Sequence, residues 1–143
     1  IQECPAADLA LYALIVEVIR ALVEERWIDY PHQQSWGVDL LADALETTIN
    51  QGSQAVLQPD YCGVFGLNSS PPRPAGQVWQ YLYDRLASRL PADLAEVARR
   101  IVAGRTLSER ILLELGGDTS RDKLEAVYHR LVSCLSEGEL FHA

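Results

Sequence analysis

The residues equipped for chemistry fall at three places in the chain: Glu3-Cys4, Asn50-Gln51 and Tyr61-Cys62. Glu3-Cys4 stands before Pro5, at the mouth of a long apolar helix, where an anion or an active-site edge commonly sits. The same pair also reads as a capping carboxylate and a buried thiol. Asn50-Gln51 ends a helix just before an irregular stretch. Their neutral amides both donate and accept, which suits an amino-acid substrate or a phosphate. A plain helix C-terminus accounts for them equally. Glu3, Asn50 and Gln51 are therefore the candidate substrate-binding residues, and Tyr61 and Cys62 carry no assigned role. His32, His129 and His142 lie in a loop, on a polar helix face and in the tail, with no metal-ligand spacing. His129, beside Arg130, reads as solvated, as do Glu24, Glu25 and Glu46. The serines lack a GxSxG context, and no Gly-rich loop has phosphate-binding spacing. No catalytic residue and no metal ligand is expected in this chain.

The element that must position these groups is the helix over Pro5–Trp27. Pro5 suits the first helical position, and Asp8 meets the positive helix end. Leu9, Leu11, Tyr12, Leu14, Ile15, Val16, Val18, Ile19, Leu22 and Val23 cover most of the wheel. The narrow remainder is Ala10, Ala13, Glu17, Arg20, Ala21 and Glu24. A helix apolar nearly all round is expected to be buried, with neighbours on several sides. A second helix is predicted over Val38–Gln51, with Val38, Leu41, Leu45, Thr48 and Ile49 on one face and Gly52 closing it. Residues 53–73 are rich in Gly, Pro, Ser and Asn. Their apolar runs Ala55–Leu57 and Val64–Leu67 suggest a small hairpin or extended arms within a mobile connection.

Four more helices follow, at about Pro74–Arg89, Pro91–Val102, Leu107–Leu115 and Ser120–Ser136. Thr106 with Glu109 forms a capping box ahead of the third of these. Gly104, Gly116-Gly117 and Gly138 are stops, and Leu140 and Phe141 are placed to dock back. The expected fold is all-α, about six helices packed around the long buried first helix, with at most one minor β pair.

The 143 residues suffice for one domain, and nearly half of them are hydrophobic. A formal net charge of −8 argues against a nucleic-acid backbone as partner. The first helix is interrupted by Glu17 and Arg20, so no membrane span is expected. Three widely spaced cysteines, with no signal-peptide pattern, read as reduced thiols in a cytoplasmic protein. The chain contains no methionine and opens on IQECP, which reads as a strand end running into a helix. It is thus expected to be the C-terminal piece of a longer protein. A processed small complete protein is the alternative.

The run IQECPAADLALYALIVEVIRALV resembles the C-terminal part of the glutamate–cysteine ligase-like carboxylate–amine ligases. There a strand leads through a short acidic segment and a proline into a long Ala- and Leu-rich helix. PAGQVWQYLYDRLASRLP is similar to the family's next helices, and AGRTLSERILLELGGDTSRDKLEAVYHRLVSCLSEGELF to its end. The resemblance implies that residues 1–143 are the helical C-terminal portion of an ATP-dependent ligase. In such an enzyme ATP and Mg²⁺ activate a carboxylate as an acyl phosphate, which an amine displaces. It further implies an N-terminal antiparallel sheet as packing partner, a small amino-acid-like substrate, and metal-binding acids upstream of Ile1. The isolated portion would then be inactive, would need no cofactor of its own and, with the sheet absent, would tend to self-associate as a homo-oligomer. Asn50 matches the Asn of a family motif after the second helix, while the Trp and Arg of that motif have no counterpart here. The rival reading is a non-catalytic helical interaction or regulatory module.

Overall fold

A computed structural model describes residues 4–67 and 71–142 of the chain. Glu3 lies outside the described residues, so its candidate role is not addressed by the structure. Among the described residues the chain is mostly helical, with eight helices and one two-stranded antiparallel pair. In order these are α1 (Pro5–Val23), α2 (Tyr30–Gln33), α3 (Val38–Gln51), β1 (Val56–Leu57), α4 (Pro59–Gly63), β2 (Arg73–Pro74), α5 (Ala75–Leu86), α6 (Ala92–Ala103), α7 (Leu107–Leu115) and α8 (Arg121–Glu137). The all-α class with one minor β pair is as the sequence suggests. The chain forms two compact units, Ile1–Ala13 with Pro91–Ala143, and Leu14–Leu90.

Two expectations for α1 are corrected. The helix stops at Val23, four residues before Trp27. Arg26 N–H reaches back to Ala21 O and Glu25 N–H to Leu22 O, both at 3.0 Å, with Glu25 in the left-handed region at φ 53°. This is a Schellman closure built on a non-glycine residue, so no glycine announces it. The Glu25 carboxylate also accepts from Tyr30 N–H at 3.1 Å, tying the turn to the start of α2. The second correction is the face that packs. Ala7, Ala10, Leu14, Glu17, Val18 and Ala21 are buried, whereas Leu9, Tyr12, Val16, Ile19 and Val23 are half or more exposed. Apolar residues all round do not mean neighbours all round. The side that carries the alanines is the one that faces inward.

In the unit Leu14–Leu90, α3 occupies the predicted span, and Gly52 closes it through a bond from its N–H to Thr48 O. Described residues of the stretch after it form short elements of secondary structure. β1 pairs with β2 in the register Val56↔Pro74 and Leu57↔Arg73, and Ala75 N–H donates to Ala55 O at 2.8 Å. The second predicted extended run, Val64–Leu67, is not a strand. It follows α4 as a tight turn in which Gly66 has φ 77°, and a Cβ there would meet Trp27 at 3.1 Å. Buried Ala55, Leu57, Cys62 and Val64 anchor this segment. The α2 helix, absent from the sequence reading, is capped by Asp29. It is also held by Gln33, whose amide donates to Leu22 O at 2.9 Å and Ile28 O at 3.0 Å.

In the unit Ile1–Ala13 with Pro91–Ala143, the tail docks back as expected. Phe141 is fully buried beside Leu115 and Val127, with Ile111, Leu124 and Leu131 packed around them. A second cluster joins Cys4, Ala7 and Leu140 to Val97 and Ile101. Arg110 donates to Phe141 O, Arg130 donates to His142 O at 2.5 Å, and the Arg130 guanidinium lies 4.9 Å over the Phe141 ring. Thr106 and Glu109 form the full capping box, and Gly116 and Gly138 end α7 and α8 in the left-handed region. Glu114 ties α7 to α8, at 2.7 Å from Arg130 and 3.4 Å from Lys123. Its carboxyl is held below the usual range, mainly by the hydrogen bond from Arg130.

Phe141→Ala should leave a large void at the centre of this unit. A loss of about 3–5 kcal/mol is expected in urea unfolding followed by far-UV circular dichroism. A loss under about 1 kcal/mol would show that the tail is not part of the core.

Candidate functional site

Among the described residues of the unit Leu14–Leu90, a cavity of about 350 Å³ opens between α3, α4 and α5. Its wall is almost wholly apolar: Leu41, Leu45, Tyr61, Phe65, Val78 and Trp79 contribute large side chains. Helical spacing puts Leu41, Leu45 and Thr48 on one side of α3, and Val78, Trp79 and Leu82 on the facing side of α5. Leu41, Leu45 and Trp79 are partly exposed, so the cavity opens along this seam. The Thr48 hydroxyl is turned back onto Ala44 O at 2.6 Å, the usual destination of a mid-helix threonine. The floor continues into a chain of edge-on rings. Trp27 meets Phe65 at 6.2 Å, Phe65 meets Tyr61 at 5.6 Å, and Tyr61 meets Trp36 at 5.7 Å. Such a site binds by shape and apolar contact, with few polar groups to orient a ligand.

Asn50 and Gln51 occupy the last turn of α3, and both side chains are exposed. The structure keeps the two together at the helix end and places neither in the cavity wall. Cys62 is buried, and burial pushes its thiol above the ordinary range. Burial also raises the Tyr61 phenol, with the neighbouring Cys62 adding to it. Neither group is primed as a nucleophile at neutral pH. His32 is bonded to Asp29, His142 contacts Arg100, and His129 is exposed. Among the described residues no three His, Cys, Asp or Glu gather as a metal site, and no helix is long and apolar enough to cross a membrane.

Sequence reasoning missed one charged group of interest. Glu17, which the sequence places in the narrow remainder of the α1 wheel, is 5% exposed. One of its oxygens pairs with Arg20, and the other, Oε2, is buried without a hydrogen-bond partner among the described residues. The signal was available in the run Ala10, Leu14, Glu17, Ala21, a helical row of apolar residues broken by one acid. Comparison with family models, with curated proteins and with solved structures yields no match in any of the three.

Two predictions follow from these buried groups. Glu17→Leu removes a carboxylate oxygen that has no donor, and the pair it breaks is with a half-exposed arginine, which contributes little. Unfolding free energy at neutral pH should rise by about 1 kcal/mol; a fall of that size would mean that Glu17 is held by a partner.

The Cys62 thiol and the Tyr61 phenol keep their protons longer in the folded chain than in the unfolded one. Their contribution is complete below about pH 8.5, where both states are protonated. It is lost as pH rises, because the unfolded chain ionises first. Urea midpoints should therefore decline between about pH 8 and pH 10, and less steeply in Cys62→Ala. Parallel declines in the two proteins would exclude the thiol as a cause.

Proposed function

We propose that this chain is the helical, non-catalytic portion of an ATP-dependent carboxylate–amine ligase, where it backs a sheet and walls the site. The sequence runs quoted above support the reading. The observation that carries it is the orientation of α1, whose small residues face inward while Leu9, Tyr12, Val16, Ile19 and Val23 form an uncovered outer row. An exposed apolar row of this length is the mark of a surface made to be covered. A sheet face, with its own apolar residues alternating along each strand, is a suitable cover.

Among the described residues no three His, Cys, Asp or Glu gather, and the proposal assigns the metal-binding acids to a segment upstream of Ile1. In the proposal Asn50 and Gln51, both exposed at the end of α3, present amides to substrate oxygens, with Asn50 the foremost candidate. A helical interaction module without any ligase role is the second reading. It is favoured by a separate uncovered row on α3, where Val38, Leu45 and Ile49 are all more than 60% exposed.

The test is hydroxylamine trapping of an acyl phosphate by a longer protein that includes this chain, offered ATP and amino-acid carboxylates. Asn50→Ala should lower turnover by about ten- to a hundredfold, the scale for losing one or two hydrogen bonds aimed at developing charge. Thermal stability should hardly change, because the side chain is exposed. No hydroxamate from any such carboxylate would remove the ligase reading. Equal trapping by both proteins would keep it and remove Asn50 from the site.

A further inference from the structure

The cavity between α3, α4 and α5 has a floor and a rim. Leu57, Ala75, Val78 and Leu82 line it from the buried core, while Leu41, Leu45 and Trp79 are its exposed members. Its volume of about 350 Å³ corresponds to about a dozen water molecules at roughly 30 Å³ each, well above the voids that close packing leaves. Small side chains help to leave that space. Ala44 stands on the same side of α3 as Leu41 and Thr48, and Ala75 opens α5.

The chemistry of the wall restricts what can enter. Among the described residues that line it, Tyr61 alone is ionisable, and burial keeps its phenol protonated at neutral pH. A carboxylate, phosphate or ammonium group would lose its hydration there with no opposite charge to meet it, which is costly. Two hydrogen-bond donors remain in the wall. The Tyr61 ring is held edge-on between Trp36 and Phe65, and its hydroxyl has no hydrogen-bond partner among the described residues. The Trp79 indole N–H has none either. Thr48, by contrast, has given its proton to Ala44 O. Phenol and indole groups drawn away from water ordinarily find an acceptor.

We infer that this cavity is a binding site for a neutral, largely apolar small molecule of about ten to fifteen non-hydrogen atoms with one carbonyl acceptor, of the aryl ketone or ester class. The volume sets the size, the uncharged wall excludes ions, and the two donors call for the acceptor. The apolar part of the ligand lies against Val78, Leu82 and Phe65, and its carbonyl oxygen accepts from Tyr61 or Trp79. The inference does not rest on the ligase reading, since an amino-acid carboxylate is a group that this wall excludes.

The probe is acetylnaphthalene, a neutral aryl ketone, offered to the 143-residue chain in equilibrium dialysis. It should bind, and in NMR spectra it should shift the Trp79 indole N–H more than that of Trp27 or Trp36. Isopropenylnaphthalene has the same shape without the oxygen, and should bind about two- to tenfold more weakly, the scale of one hydrogen bond. Naphthoate, similar in size but anionic, should not bind measurably. Tyr61→Phe combined with Trp79→Phe should bring the ketone down to the affinity of the hydrocarbon and leave the hydrocarbon unchanged, which a loss of packing alone would not do. Ala44→Phe should fill the cavity and abolish binding of both, with circular dichroism as the check on folding. Val16→Ser, on the outer row of α1, should change nothing. Several results would overturn the inference: no binding of the ketone, equal affinity for naphthoate, or no preference for the ketone over the hydrocarbon. A preference that survives loss of both donors would do the same, as would weakening by Val16→Ser. So would a dimer in sedimentation whose formation competes with the ketone, since the occupant would then be a second copy.

Discussion

Burial of the alanine row of α1 is the constraint that the rest of the described structure shares. Ala7, Ala10 and Ala21 are completely buried, and Leu14 sits among them equally buried. Alanine has no side-chain entropy to lose on burial, and the buried side of the helix is the side with the least apolar mass. Each of the two compact units uses its own part of this helix. Cys4 and Ala7 join the Leu140 cluster in one, while Leu14, Val18 and Ala21 enter the buried set of the other. The large residues pushed to the outer side are then a consequence of packing, and their exposure is what makes the helix look like an unfinished surface.

The same logic separates what could be read in the sequence from what could not. The α3 span, the Thr106–Glu109 box, the glycine stops of α7 and α8 and the docking of Phe141 all rest on local chemistry, and each is found in place. The end of α1 was misjudged because its left-handed residue is Glu25, which gives no glycine signal. The expected burial of α1 on several sides is not found, because hydrophobicity counts Leu and Ile as core while only the alanine side is enclosed. Val64–Leu67 has strand-like composition, yet Arg73–Pro74 takes the place beside β1, a pairing decided by chain geometry beyond any local window. For the candidate site, Asn50 and Gln51 were visible as a polar helix end. The cavity was not, because Leu41 and Trp79 meet only after α3 and α5 have packed.

The polar side chains that hold the described chain differ in kind. Gln33 spends its amide on two backbone carbonyls and so fixes α2, and Arg130 spends its guanidinium on the tail and on Glu114. Glu17 is the exception, with one oxygen left over in the core. Groups of the first type specify a geometry, since moving the chain breaks their bonds. Glu17 specifies nothing comparable through Arg20, whose side chain is half in solvent.

The distribution of indole rings has a practical corollary. All three tryptophans, Trp27, Trp36 and Trp79, lie in the unit Leu14–Leu90, two of them in the edge-on ring chain and one at the cavity rim. Intrinsic emission excited at the indole band is therefore a spectroscopic window onto that half of the molecule only. A sample in which α6, α7 and α8 had melted could still shine as native, so a unit-resolved melting profile requires a second chromophore beside Phe141.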